Sequence, residues 1–191
     1  MVFIKKLSEV FLSAESWNID NILTFISLLF AVIGGGFALK QWINSNRVRR
    51  VEFLDKCIEK IRFTDDFKEI LFMIDYDQFW YSPEFHGSDI EPRVDSFLSY
   101  LSYICYLRKC RYLSKKDILI LDYFIRRTCI SYSTQSYLWN FYHWSCSQNT
   151  VCSFSHLIEY GIQNKLIDKK EFMDINSNEY IRGLHIPTST R

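Results

Sequence analysis

Glycine and proline are scarce in this chain, and signatures of a catalytic centre are missing. The 191 residues include only six glycines and three prolines, which excludes long irregular regions of the kind these residues produce. The six cysteines form no C-x-x-C pair, and most lie among apolar residues, which is typical of a reducing compartment. The formal net charge is only +1, so no overall electrostatic attraction draws the chain to nucleic acid.

Charge is absent from residues 22–39, where Thr24 and Ser27 are the only side chains able to hydrogen-bond. A helix of this length spans about 27 Å, close to the hydrocarbon thickness of a bilayer. The run is longer than the apolar core of a signal peptide, and no small-x-small cleavage site separates it from the basic residues that follow. We therefore predict a transmembrane helix over residues 19–43.

Three consecutive glycines stand inside this apolar run. A bilayer enforces helix because every backbone group must be bonded internally, so glycine is tolerated there. Small residues are also the usual contact face of packed transmembrane helices. With a single predicted span, the partner is predicted to be another copy of the chain. A kink without a partner and the lining of a narrow channel remain open alternatives. The predicted oligomer-contact or pore-lining set is Ala31, Gly34, Gly35, Gly36 and Ala38.

Basic residues follow the apolar run, whereas acidic residues offset the lysines before it. The positive-inside rule therefore places the C-terminal side in the cytoplasm. Tryptophans flank the run as expected of aromatic anchors, and the basic cluster is suited to anionic lipid headgroups. The predicted membrane-interface residues are Trp17, Lys40, Trp42, Arg47, Arg49 and Arg50.

The rest of the chain shows helical spacing of apolar residues and no sustained period-two alternation. Residues 1–18 are predicted to form an amphipathic segment, 44–176 a cytosolic helical domain, and 177–191 a polar tail. Ser114 with Asp117 is spaced like a capping box. The fold class is thus all-α, with one N-terminal transmembrane helix followed by a cytosolic helical bundle. The clearest core face comprises Val94, Phe97, Leu98, Leu101, Ile104 and Cys105.

Two groups of residues are of the types used for zinc binding and for RNA cleavage. Four zinc-type ligands are close in sequence, but the spacer between Cys146 and Cys152 is shorter than in common zinc fingers, so we predict no metal and no cofactor. An arginine followed four to six residues later by a histidine is the ribonuclease signature of HEPN domains, and no histidine here has that spacing. We therefore predict no catalytic residues and no enzyme activity. The residues concerned are His143, Cys146, Cys152 and His156 for zinc, and Arg126, Arg127 and His143 for RNA cleavage.

Basic and aromatic residues alternate around the segment LRKCRYLSKK, which is what single-stranded RNA requires of a binding surface. Basic residues at the ends of bundle helices are also ordinary, because they suit the helix dipole. The RNA-binding set is Arg108, Lys109, Arg111, Lys115, Lys116, Arg126 and Arg127, with tyrosines 100, 103, 106, 112 and 123 between them. Self-association in water is predicted to use Tyr100, Tyr103, Trp139, Tyr142 and Trp144.

The layout resembles a known family. One N-terminal span, the basic junction NRVRRVEFLDK, the segment RVDSFLSYLSYICYLRKCRYLSKKDILILDYFI and the motif YLWNFYHWS are similar to the transmembrane accessory proteins of type VI-B CRISPR systems, over most of residues 20–163. The resemblance implies a protein of the bacterial inner membrane that forms a pore of many copies and has a degenerate HEPN-like fold. It also implies that the protein supports an RNA-guided effector in antiviral defence. It also implies the chain itself, membrane lipids and the effector or its RNA as partners. The alternatives are a membrane-tethered scaffold or RNA-binding module, and, less favoured by the residues, a HEPN-type ribonuclease.

Overall fold

The computed structural model describes residues 19–177, and within that range it contains α-helices, one short 3-10 helix and no strand. The predicted all-α fold is confirmed. The amphipathic segment 1–18, including Trp17, and the tail beyond Ser177 lie outside the described residues. The helices are α1 (Ile19–Phe63), α2 (Asp65–Asp75), α3 (Glu91–Lys109), α4 (Lys115–Ile130), α5 (Tyr132–Ser147), α6 (Ser155–Gln163) and α7 (Lys169–Met173), with the 3-10 turn at Pro83–Phe85 between α2 and α3.

Helix α1 runs unbroken for 45 residues, so the predicted boundary at residue 43 falls inside a helix. No proline interrupts Ile19–Phe63, and the glycines alone do not end the helix. The chain instead divides into two compact units after Glu52. In the second unit, the last turns of α1 contribute Leu54, Cys57 and Ile61 to the core.

The core of the second unit is organised around α3. This helix contacts α2, α4 and α6, and α4 in turn contacts α5 and α6. All six residues of the predicted α3 core face are buried, which confirms the helical period in that segment. On α4, Ile118, Leu121 and Ile125 are buried whereas Leu119 is exposed, as their spacing predicts.

Local caps set the ends of two helices. The Ser114 hydroxyl accepts from the Asp117 amide while the Asp117 carboxylate accepts from the Ser114 amide, so the predicted capping box at α4 is confirmed. Asp168 caps α7 by accepting from the amides of Lys170 and Glu171. Thr64 is the N-cap of α2 but its side chain makes no capping hydrogen bond.

The prediction of surface aromatics is wrong for Trp139. Trp139 is only 8% exposed, and its Nε1–H donates to the Asp174 carbonyl at 3.2 Å. This hydrogen bond joins α5 to the end of α7. Tyr100 packs partly against the core, with its ring 5.6 Å from Phe67. Tyr103 is exposed. The helical period places Trp139 on α5 correctly but does not reveal its hydrogen bond to the Asp174 carbonyl at the end of α7.

Gly161 is required where α6 meets its neighbours. A Cβ at this position would lie 2.6 Å from Cδ1 and 2.9 Å from Cγ1 of Ile167, and 3.3 Å from Sγ of Cys129. Both neighbours are buried. The side chains of Ile167 and Cys129 therefore have little room to move. The close packing of α6 against α4 and against the segment that follows α6 depends on glycine at this position.

We expect Gly161→Ala to lower the free energy of unfolding of the second unit by about 1–3 kcal/mol, because overpacking a dense core forces side chains from their preferred rotamers. Denaturant unfolding followed by tryptophan fluorescence measures the loss. Ile167→Val removes the atom closest to the new methyl group, so the double variant should recover part of the stability. Equal stability of Gly161→Ala and the parent would contradict this account of the packing.

Candidate functional site

Helix α1 is long and apolar enough to span a membrane, and none of its most apolar window is buried by the rest of the described chain. A core helix of a water-soluble domain would be mostly covered, whereas the part of the chain that the structure describes does not cover this apolar surface. The two hydrogen-bonding side chains of the run are satisfied locally: the Thr24 hydroxyl donates to the Asp20 carbonyl and the Ser27 hydroxyl to the Thr24 carbonyl. The run therefore carries no side-chain donor that needs water.

The predicted small-residue set lies on the exposed surface of this helix. A Cβ built on each of the three glycines would meet no atom within 4 Å. Packing within the described chain therefore does not explain why glycine stands there. At about 100° per residue, Ala31, Gly35 and Ala38 share one stripe, and Gly34 borders it. Gly36 lies about 100° further round the helix from Gly35.

The predicted interface residues that the structure describes are also exposed on α1. Trp42 keeps 63% of its surface accessible. Such an indole, if the helix spans a bilayer, suits the headgroup level because its body is apolar and its N–H is polar. Lys40, Arg47, Arg49 and Arg50 are exposed along the same helix.

A second candidate site is a groove of about 710 Å³ between the C-terminal end of α3, the first half of α4, and α6. It brings together residues that the sequence places in three separate segments. Its apolar lining includes Ile118 and Leu119, and its carboxylates are Asp122 and Glu159. The basic side chains that line it are Arg108, Lys109, Arg111, Lys115 and Arg126.

Ion pairs neutralise only part of this basic lining. Lys109 Nζ lies 2.6 Å from Glu159 Oε2, and Arg126 Nε lies 2.7 Å from Asp122 Oδ2. The Lys109 ammonium holds the pKa of the Glu159 carboxyl below its usual range. Among residues 19–177, no carboxylate lies within ion-pair distance of Arg108, Arg111 or Lys115, although Arg108 Nη1 donates to the Leu113 carbonyl at 3.1 Å. The groove therefore keeps a net positive charge.

The predicted RNA-binding set is thus only partly assembled. Arg127 lies away from the groove and holds the C-terminal end of α2, where its Nη2 donates to the carbonyls of Ile74 and Asp75 at 3.2 and 2.8 Å. Tyr123 donates to Asp75 as well. These two residues stabilise a helix end, which the spacing alone does not distinguish from ligand binding.

The four candidate zinc ligands do not converge. His143 Nε2 lies 3.0 Å from the Phe172 carbonyl, whereas the His156 ring lies 5.0 Å from the Tyr106 ring. Cys146 is exposed and Cys152 is buried. In the part of the chain that the structure describes, no three His, Cys, Asp or Glu side chains are grouped so as to hold a metal ion.

A partly buried polar network that the sequence does not predict surrounds His86 and Glu91. His86 Nδ1 lies 2.9 Å from Glu91 Oε1, and the Gly87 amide donates to Glu91 Oε2 at 2.7 Å. Tyr81 OH lies 3.3 Å from His86 Nε2 and accepts from Asn140 Nδ2 at 2.7 Å. The network fastens the 80–91 connection to α3 and α5. Its only signal in the sequence is a histidine and a glutamate five residues apart, which by itself does not distinguish a buried pair from two surface residues.

Beside this network, the hydroxyl of Tyr137 donates to the carboxylate of Asp95. Burial raises the pKa of Asp95, and the hydrogen bond from Tyr137 and the nearby His86 offset part of that effect. Burial also raises the pKa of the Tyr137 phenol, which therefore stays protonated and acts as the donor.

Comparison of the chain with protein families, with curated proteins and with solved structures finds no match.

We expect Tyr137→Phe to lower the free energy of unfolding by about 2 kcal/mol at pH 7.5, because a half-buried carboxylate loses its donor. Asp95 binds a proton more readily when folded, so its contribution to stability falls as pH rises through its folded pKa. Removal of the phenol raises that pKa further, and the loss should therefore shrink at pH 4. Denaturant unfolding at both pH values measures the difference, and a loss independent of pH would contradict this assignment.

Proposed function

We propose that this chain is a single-pass protein of the bacterial inner membrane whose copies associate through the small-residue stripe of α1. The observation that carries the proposal is the uncovered apolar surface of α1, in which three glycines stand where no contact within residues 19–177 requires them. The second unit, in this proposal, lies in the cytoplasm, because Lys40, Arg47, Arg49 and Arg50 follow the apolar run.

Association of α1 helices needs close packing, because lipid is as apolar as leucine and hydrophobicity alone does not hold helices together in a bilayer. Ala31, Gly35 and Ala38 would let a second backbone approach, and Gly34 would extend the contact. Gly36 lies round the side of the helix, where it would border the contact or the space that it encloses. The partners proposed are therefore other copies of the chain and the surrounding lipids.

A pore requires several copies, since one helix encloses no channel. We propose that a ring of α1 helices forms one, and that the protein is a non-enzymatic accessory or effector of RNA-guided CRISPR defence. The support for the defence role is the resemblance of residues 20–163 to the type VI-B accessory proteins. A membrane-tethered scaffold without a pore is the alternative that the experiments on α1 separate from this proposal.

Gly35→Leu should disrupt the association while leaving the second unit folded. Overpacking costs about 1–3 kcal/mol at a site, so the apparent dissociation constant of the oligomer should rise about 5- to 150-fold. Particle mass in detergent measures assembly, and ion leakage from liposomes measures permeation. Gly35→Ala is the matched control, since it keeps a small side chain and should assemble.

Three results would overturn the self-association proposal in favour of a simple anchor. They are a monomeric parent at every workable concentration, a Gly35→Leu protein that equals the parent in mass and leakage, and a loss in Gly35→Ala as large as in Gly35→Leu.

The proposed topology has its own test. Alkaline phosphatase fused after Arg191 should be inactive, because the enzyme matures only in the periplasm, and β-galactosidase at the same position should be active. Replacement of Arg47, Arg49 and Arg50 by alanine should weaken this preference, since the positive charges set the orientation. An active phosphatase fusion to the unaltered chain would place the second unit outside the cytoplasm.

A further inference from the structure

We propose that the groove between α3, α4 and α6 binds single-stranded nucleic acid, with phosphates on its basic lining and bases on the aromatic rings at its rim. This inference concerns the second unit alone and does not depend on whether α1 forms a pore. The proposed site uses only part of the RNA-binding set predicted from the sequence.

The charge of the groove favours a ligand with several phosphates. Arg111 and Lys115 are exposed and have no carboxylate within ion-pair distance among residues 19–177, and Arg108 uses only one of its donors on the Leu113 carbonyl. These three cations can contact more than one phosphate of an extended strand. The volume of about 710 Å³ lies in the range of small-ligand sites and admits more than one nucleotide unit.

Arg111 stands in the turn that ends α3. It follows the helix at φ 65°, in the left-handed region where glycine is the least strained residue. Asp77, Asn149 and Lys165 take the same conformation after their own helices, so it is an ordinary helix ending. At Arg111 this ending places a basic side chain in the lining of the groove.

A row of aromatic rings leads away from the groove. His156, which lines it, lies 5.0 Å from the Tyr106 ring at an interplanar angle of 36°, and Tyr106 lies 6.5 Å from Tyr103 at 28°. Tyr103 and Tyr106 are 51% and 40% exposed. Bases stack on such exposed rings with little regard to sequence. An acidic lipid headgroup or inorganic polyphosphate would use the cations but not this row.

The test measures binding of a fluorescent 12-nucleotide single-stranded RNA to the full chain in detergent by polarisation, over a series of salt concentrations. Arg111→Gly should weaken binding about tenfold and reduce the salt dependence by about 0.7 in the log–log slope, the share of one phosphate on a single strand. The same change relieves the left-handed backbone, so the fold should be as stable as the parent or more so. Loss of binding would then not reflect misfolding.

Lys165→Gly is the matched control. Lys165 is also basic and exposed, follows the end of α6 at φ 57°, and does not line the groove. It should leave RNA affinity unchanged. Tyr106→Leu should weaken binding about fivefold or more, whereas Tyr76→Leu, at an exposed tyrosine away from the groove, should not.

Three outcomes would overturn the proposal. The first is no saturable RNA binding at low salt, and the second is an equal effect of Arg111→Gly and Lys165→Gly. The third is binding of inorganic polyphosphate as tightly per phosphate as RNA, together with no effect of Tyr106→Leu, which would assign the groove to a headgroup or polyphosphate. Because the assay needs neither a bilayer nor an oligomer, its failure leaves the association of α1 untouched.

Discussion

Uncovered apolar surface on α1 is the constraint on which the rest of this protein depends. In water, such a surface is costly at roughly 25 cal/mol for each Å², and none of residues 22–39 is buried by the described chain. A bilayer removes that cost and enforces helix, because each backbone group must then be bonded within the segment. The same environment makes three consecutive glycines compatible with an unbroken helix from Ile19 to Phe63.

In the second unit, by contrast, the helices bury their apolar faces against one another. Helix α3 supplies the central face, and α2, α4 and α6 cover it. Gly161 allows α6 to approach closely, and the polar network around His86 and Glu91 fastens the connection that precedes α3. The end of α3, the start of α4 and one face of α6 then line a groove. The groove keeps a net positive charge.

Basic residues therefore have different roles in one short stretch of sequence. Arg126 pairs with Asp122 on the next turn of its own helix, and Arg127 caps the end of α2 through two carbonyls. Arg111 and Lys115 face the groove. Ion pairs and helix capping account for the first two, whereas ligand binding is the role proposed for the others.

The sequence by itself determined the all-α class, the apolar helix, the core face of α3 and the capping box at Ser114, because each follows from spacing within one helix or one turn. Only the tertiary structure decided the rest. It buried Trp139 and joined its indole N–H to the Asp174 carbonyl, and it brought His86 to Glu91 and Tyr81. It also divided the basic residues between a helix end and a groove. Such outcomes depend on contacts between segments distant in the chain, and local periodicity carries no information about which distant segment covers a given face.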